Sequence, residues 1–388
     1  MSLPDRGFPA AEFKTRLTRA QEEMGRVGLD AILLTTEPEI RYFSGFLTRF
    51  WESPTRPWYM ILPAEGAPVA VIPSIGAHLM GQSWIEDLRT WNSPDYEDDG
   101  ISLLAEALRE TVPDGGVIGL AHGRESYVRI PLADLARLKA DIGQRRITGE
   151  AGILRALRLV KSEAELSKIR RACGIAGAAF DRVSEIAQIG VPLSEVFRRF
   201  QALCLDEGAD WVGYLAGAAG PGGYGDVISP ASETPLAEGD VLMLDTGVVW
   251  DGYYCDFDRN FAIGAASDSV KNAYRRLVEA VEAGIATARP GVTVADLFHA
   301  MARVTGTGEG ASSAGRSGHG LGMQLTEWPS LIPADRTELR PGMVLTLEPS
   351  VDVGPGRILV HEENIMITEK GAAWLSPRAP ADMPEFLS

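Results

Sequence analysis

The sequence predicts a two-domain chain, an α/β domain over residues 1–157 followed by an α+β domain over residues 158–388. Three observations carry this reading. Short apolar runs of strand length alternate with helix-compatible stretches through the first domain. From Lys161 onward, long helical patterns precede groups of clustered strands, the arrangement of an α+β unit. At about 150 residues per domain, a chain of 388 residues holds two or three.

The elements follow in order. Phe13, Leu17, Ala20, Met24 and Val27 recur at helical spacing and predict an opening amphipathic helix. Ala31–Leu34, Trp58–Leu62, Val69–Ile72 and Val117–Leu120 are apolar and of strand length. Ser162 with Glu165 three residues later is a capping box, and the helical pattern behind it runs to about Ile189. Pro192 precedes a second helix over Leu193–Asp206. Gly217–Asp226 (GAAGPGGYGD) reads as a loop, and no helix follows it to make a phosphate cradle. Val241–Trp250 and Tyr253–Ile263 form two strands turned at Asp251-Gly252. Helices over Asp268–Ala288 and Val294–Val304 then lead to strands at Val344–Leu347, Ile358–Val360 and Ile365–Thr368.

Composition removes several function classes. The chain is 45% apolar, 23% charged and 7% aromatic, as ordinary globular proteins are. A net charge of −16 gives it no electrostatic reason to hold nucleic acid or an anionic membrane. Its apolar runs are far shorter than the ~20 residues of a membrane span. The opening MSLPDRGFPAAEF lacks the apolar core of a secretory signal. Cys173, Cys204 and Cys255 are scattered and form neither a CxxC pair nor a disulfide framework. A reducing, cytoplasmic setting is expected.

Nucleophile and zinc-helix motifs are missing: Gly315–His319 (GRSGH) only approximates G-x-S-x-G, and His361-Glu362-Glu363-Asn364 is followed by Ile365 rather than His. What stands out is a set of acids in strand contexts: Asp245 in VLMLDTG, Asp256 in GYYCDFDRNF, Glu348 in MVLTLEP and Glu362 inside the strand-like ILVHEENIMI. His319 lies in SGHGLGM, between small residues that leave room for a ligand. Carboxylates among apolar strand residues are costly as anions unless a positive charge compensates them. Arg259 is the one base nearby in sequence, whereas a pair of divalent ions neutralises four carboxylates together.

The order Asp245, Asp256, His319, Glu348, Glu362, at intervals of 11, 63, 29 and 14, resembles the five-ligand signature of the "pita-bread" metallopeptidases. That family includes prolidases, Xaa-Pro aminopeptidases, methionine aminopeptidases and the metal-free creatinases. The framing residues are similar too: Gly247, Gly252-Tyr253, Arg259 and Phe261 after Asp256, Gly318 and Gly320 around His319, and Pro349 after Glu348. Val160-Lys161-Ser162 with Glu165 and Ile169 resembles the segment opening the family's catalytic domain, and Arg41–Phe46 (RYFSGF) resembles a tract of its creatinase/prolidase-like N-terminal domain. The resemblance therefore implies a creatinase-like α/β domain over 1–157 and a pita-bread catalytic domain over 158–388.

It also implies roles. Asp245 would bind one metal ion, His319 with Glu348 the other, and Asp256 and Glu362 both. Four carboxylates and one imidazole suit Mn, Co or Fe better than Zn. Two such ions ~3.5–4 Å apart hold a bridging water, acidify it to hydroxide and polarise a carbonyl. Glu348 would move the proton to the leaving nitrogen. The function implied is hydrolysis of a C–N bond in a small dipeptide-like substrate, as in Xaa-Pro peptidases, by a homodimer.

The substrate side departs from the pattern. Relatives of the prolidase type carry His 17 residues before the first ligand and 7 after the ligand histidine, and Arg two before the last ligand; here these are Ile228, Thr326 and Val360. One lost oriented donor can cost ~3 kcal/mol in the transition state. Ile228 and Thr326 thus mark substrate-binding positions, with Tyr214 as a pocket wall or a packed strand residue. Asp258 replaces the usual Thr and is open between supporting Asp256 and pairing with Arg259; Trp51 and Trp58 are assigned to packing. The altered positions keep alternatives open: a lyase similar to dimethylsulfoniopropionate-cleaving members, a small-amide hydrolase, a metal-free creatinase-like enzyme, or a binding protein without catalysis.

Overall fold

The computed structural model describes residues 3–53, 56–306 and 315–386. The chain divides into two compact units, the first from Asp5 to Arg158 and the second from Leu159 onward.

The first unit is α/β, as the alternating patterns predict. Its strands are β1 (Ala31–Leu34), β2 (Tyr59–Pro63), β3 (Val69–Pro73), β4 (Asp87–Trp91), β5 (Val117–Leu120) and β6 (Arg146–Gly149). They form one sheet in the order β4-β3-β2-β1-β5-β6, antiparallel where β2 meets β1 and β3, and parallel at the remaining pairings. β1, β2 and β3 are buried along their whole length, so they read as continuous apolar runs rather than alternating ones. Ile101, Leu104 and Leu108 of the helix Ile101–Thr111 pack with Leu33, Ile61 and Val71 of the sheet. Trp51 and Trp58 pack with each other and with Phe46 at centroid distances of 5.2–6.4 Å.

The second unit opens on the helix Glu163–Asp181, capped reciprocally as predicted: Ser162 Oγ accepts from the Glu165 N–H, and the Ser162 N–H donates to Glu165 Oε2 at 2.9 Å. This helix stops at Asp181, before the predicted end near Ile189. Val183, Ile186 and Ala187 stay buried from a 3-10 turn and the chain beyond it, so the apolar spacing outlasts the helix. The helix Leu193–Asp206 follows Pro192.

Next come β7 (Trp211–Pro221), β8 (Asp240–Trp250), β9 (Tyr253–Tyr254), β10 (Phe257–Ile263), β11 (His319–Gly320), β12 (Glu327–Ser330), β13 (Val344–Leu347), β14 (Ser350–Gly354), β15 (Arg357–Val360), β16 (Glu363–Ile367), β17 (Ala372–Trp374) and β18 (Glu385–Phe386). They build a sheet β18-β10-β8-β7 with β9 on β8, a second sheet β12-β11-β13-β16-β17, and a ribbon β14-β15. The helices Asp268–Thr287 and Val294–Thr305 supply Val281, Leu297 and Met301 to a core shared with Leu345, Leu347 and Ile365. Val270, Tyr274 and Leu277 meet Val241, Met243, Val351 and Leu359 in another.

Three sequence expectations need correction here. The first half of the glycine-rich stretch, 217–221, is strand β7 rather than loop. Gly217 faces the Met243 carbonyl so closely that a Cβ would lie 2.3 Å from its oxygen, so the glycine marks a close strand contact. The hairpin turn is as predicted, with positive φ at Asp251 (48°) and Gly252 (77°), but its second arm breaks at Cys255-Asp256. Glu362 is not inside a strand: it lies between β15, in the ribbon, and β16, in the larger sheet.

Candidate metal centre

Four of the five acidic and imidazole candidates sit where a strand is interrupted. Asp256 lies between β9 and β10, Glu348 between β13 and β14, Glu362 between β15 and β16, and His319 opens β11 at a register shift. Such interruptions turn side chains out of the regular pleat. Asp245 alone is mid-strand, the one residue of β8 that keeps some exposure. The sheet hydrogen bonds tie these breaks together: the His319 N–H donates to Thr346 Oγ1 at 3.1 Å, and the Glu348 N–H donates to the Ser317 carbonyl at 3.0 Å.

The geometry converges on one point. His319 Nε2 lies 3.3 Å from Asp256 Oδ2 and 4.0 Å from Glu362 Oε1, and one ligand atom from each of these three residues falls within 4.8 Å of the others. All three are at most 4% exposed. His319 Nδ1 is 2.8 Å from the Gly320 carbonyl oxygen, which only accepts. The ring proton therefore sits on Nδ1, and Nε2 turns its lone pair toward the carboxylates. Burial, with the Arg316 charge, lowers His319 to about 4, so the imidazole is neutral near pH 7. Asp245 interacts with Glu362 and is raised by burial and then by the charges of Asp258 and Glu348. Burial also raises Asp256 and Glu362, helped by their acidic neighbours, and brings Glu348 to about 7.

Buried carboxylates ordinarily have hydrogen-bond partners. Here, among the described residues, Asp245 Oδ1, Asp256 Oδ1 and Glu362 Oε1 have none. Idle acceptor oxygens, mutual repulsion and a correctly presented imidazole lone pair together fit divalent cations, so the residues present suit a metal centre. Behind them, Asn364 fastens Asp256: its Oδ1 accepts the Asp256 N–H at 2.9 Å and its Nδ2 donates to the Asp256 carbonyl.

On the substrate side, Tyr214 pairs with Gly247 across β7 and β8, and its hydroxyl is raised by burial and then by Asp245, Asp256, Glu362 and Glu348, which places it beside the cluster. Thr326 is exposed and accepts a hydrogen bond from Arg316 Nη2 at 3.2 Å. Ile228 is 80% exposed on the loop after β7 and is not among the buried residues around the cluster. Arg259 does not pair with the Asp258 carboxylate; its Nη2 bonds Glu363 at 3.1 Å. His361 meets Asp258 Oδ1 with Nδ1 at 3.3 Å and Glu363 with Nε2 at 3.4 Å.

One residue, Arg316, and one pairing, Asp258–His361, are not legible in the sequence. Arg316 carries the guanidinium whose charge lowers Asp256 and Glu348. It stands three residues before His319, in GRSGH, where no local spacing marks it. The Asp258–His361 pair spans strands 103 residues apart, with a period-two step from Asp256 as its only local signal.

The family profile of metallopeptidase family M24 matches residues 167–369, and that of the creatinase/prolidase N-terminal domain matches residues 16–160. The chain is 30% identical to a probable dipeptidase PepE of Mycobacterium tuberculosis, over 95% of this chain and 96% of that one. It is 27% identical to a Xaa-Pro dipeptidase of Pyrococcus horikoshii, over 92% and 95%. The crystal structure of dipeptidase PepE from Mycobacterium ulcerans superposes with a TM-score of 0.84 at 26% identity, covering 98% of this chain and all (100%) of that one. The architecture is thus the expected creatinase-type α/β domain with a pita-bread catalytic domain. Its catalytic class is metal-dependent hydrolysis, and no helix among the described residues is long and apolar enough to cross a membrane. The chain belongs to metallopeptidase family M24.

Proposed function

We propose that this chain is a dinuclear-metal dipeptidase whose substrates include Xaa-Pro dipeptides. By the family resemblance, Asp245 would serve one ion, His319 and Glu348 the other, and Asp256 and Glu362 would be shared between them. The observation that carries this reading is the convergence of the His319 lone pair and the Asp256 and Glu362 oxygens within 4.8 Å, with buried oxygens left idle around them. The names of the relatives support the substrate class. An all-oxygen and imidazole ligand set favours Mn, Co or Fe over Zn. Cys255, beside Asp256, is buried and directs its thiol to the Thr246 carbonyl.

Bound metal supplies Lewis acidity for the scissile carbonyl and for an attacking water. The chain does the rest. Glu348, half-buried at the end of β13, accepts the proton of the water and passes it to the leaving nitrogen. His319 stays neutral and fixed by Gly320, so its Nε2 keeps one direction through the cycle. Arg316, held by its hydrogen bond to Thr326, anchors the substrate carboxylate. Tyr214 walls the pocket beside the cluster. The working molecule is a homodimer in a reducing cytoplasm, which the three buried, unpaired cysteines suit.

A panel of Xaa-Pro and Xaa-Ala dipeptides, offered to protein loaded with Mn, tests the reading by ninhydrin or mass detection of the free amino acids. Release of the second residue, abolished in Asp256→Ala and raised in KM by Arg316→Ala, is the expected result. Full metal loading with no dipeptide cleaved overturns it.

A further inference from the structure

Asp258 sits directly opposite Asp245 in the β10–β8 pairing. Directly opposed residues on one sheet face have Cβ atoms ~4.5–5.5 Å apart, and like charges there repel. Asp258 is 1% exposed, and its two oxygens are used very differently. Oδ1 accepts the Glu362 N–H at 3.0 Å and faces His361 Nδ1 at 3.3 Å. Oδ2 is buried with no hydrogen-bond partner among the described residues, as is Oδ1 of Asp245 on the facing strand.

The basic groups nearby are committed elsewhere. Arg259 donates to the Asp258 and Glu362 carbonyls, to Glu363 and to the Pro377 carbonyl. His361 is held at both ring nitrogens, between Asp258 and Glu363. Glu363 in turn is fixed by Arg259, Ser376 and the Ala379 N–H. The hydroxyl of Tyr224, another close neighbour, is engaged by Asn260 and Val360. Nothing in this network turns toward Asp258 Oδ2. A fully buried carboxylate with one oxygen oriented by two fixed groups, the Glu362 N–H and His361, and the other idle beside a second acid is suited to a cation ligand.

We propose that Asp258 is a sixth protein ligand of the metal centre, its Oδ2 joining Asp245 on the same ion while His361 and the Glu362 N–H set its angle. This rests on the ligand assignment made under Proposed function. It gives the departure from the family's Thr at this position a chemical role: a fifth carboxylate binds the Asp245-side ion more tightly and raises its coordination number.

The test is a titration of metal-free protein with Co(II) against a chromogenic chelator, with the visible spectrum recorded at each step, for the wild type, Asp258→Asn, Asp258→Thr and Asp245→Asn. The expected result for both Asp258 variants is one ion held as in the wild type and the other weakened at least ~10-fold. Their ligand-field absorption should intensify as coordination falls. Wild-type affinities and spectra in both variants overturn the proposal. Asp245→Asn separates the layers: if it also leaves both ions unaffected, the ligand assignment itself fails, whereas loss of an ion there but not at position 258 removes Asp258 alone. Should neither Asp258 variant fold, a crystal structure of the Mn-loaded wild type decides, Oδ2 standing either at ligating distance from the ion or clearly beyond it.

Discussion

Asn364 would support the proposed metal centre from behind, without being one of its ligands. It is fully buried, grips the Asp256 backbone through both its acceptor and its donor, and accepts from Cys173 Sγ at 3.3 Å. Supporting residues of this kind typically cost 10–100-fold in metal affinity when removed. Asn364→Ala should therefore weaken Mn binding by about that factor, read by chelator competition, and Asn364→Asp should not restore it, because a carboxylate cannot donate to the Asp256 carbonyl. Unchanged affinity in the alanine variant would mean that the backbone at Asp256 is held by the sheet alone. At this scale the sequence was legible for the candidate ligands, because acids in apolar strand contexts are conspicuous. It was opaque for partners such as Asp258–His361 and Arg316–Thr326, because long-range contacts leave no local spacing.

Elements explain where those side chains point. Short apolar strands such as Val344–Leu347, buried along their whole length, and the proline-led helix Leu193–Asp206 are legible in the sequence. The misread places were those where the strand stops obeying its period: the break at Cys255-Asp256, the joint at His361-Glu362 and the glycine-rich half of β7. The first two of these are also where candidate ligands lie, since a residue released from the pleat can be aimed. Gly318 is the sharpest case. Its φ is 135°, and a Cβ would fall 2.3 Å from the Thr346 carbonyl oxygen, a backbone atom that cannot swing aside. Gly318→Ala should destabilise the protein by about 1–3 kcal/mol and displace His319. A urea midpoint shifted downward together with weakened metal binding is the expected pair of results; wild-type metal binding would show that His319 is positioned independently of this turn.

For the whole molecule, the proposed metal centre would make metal part of the stability of the second unit. The same M24 fold brings together the segments from Asp245 to Glu362, so ions held there would bind only the folded chain. Metal at about 100 times its dissociation constant should add ~2.7 kcal/mol to the unfolding free energy. Differential scanning calorimetry should show a transition that rises with Mn concentration and falls on chelation, and this response should vanish in Asp256→Ala. A melting temperature indifferent to metal would place the ions outside the folded core.

On the proposed reading, Asp245, Asp256, His319, Glu348 and Glu362 would hold two ions, and the loaded protein would cleave dipeptides. The most direct measurement counts metal per chain by plasma mass spectrometry alongside dipeptide turnover, in the wild type, Asp256→Asn and His319→Ala. Two ions per wild-type chain, fewer in each variant, and turnover falling in step are the results expected. Two ions retained in both variants, or turnover that survives exhaustive chelation, would contradict it.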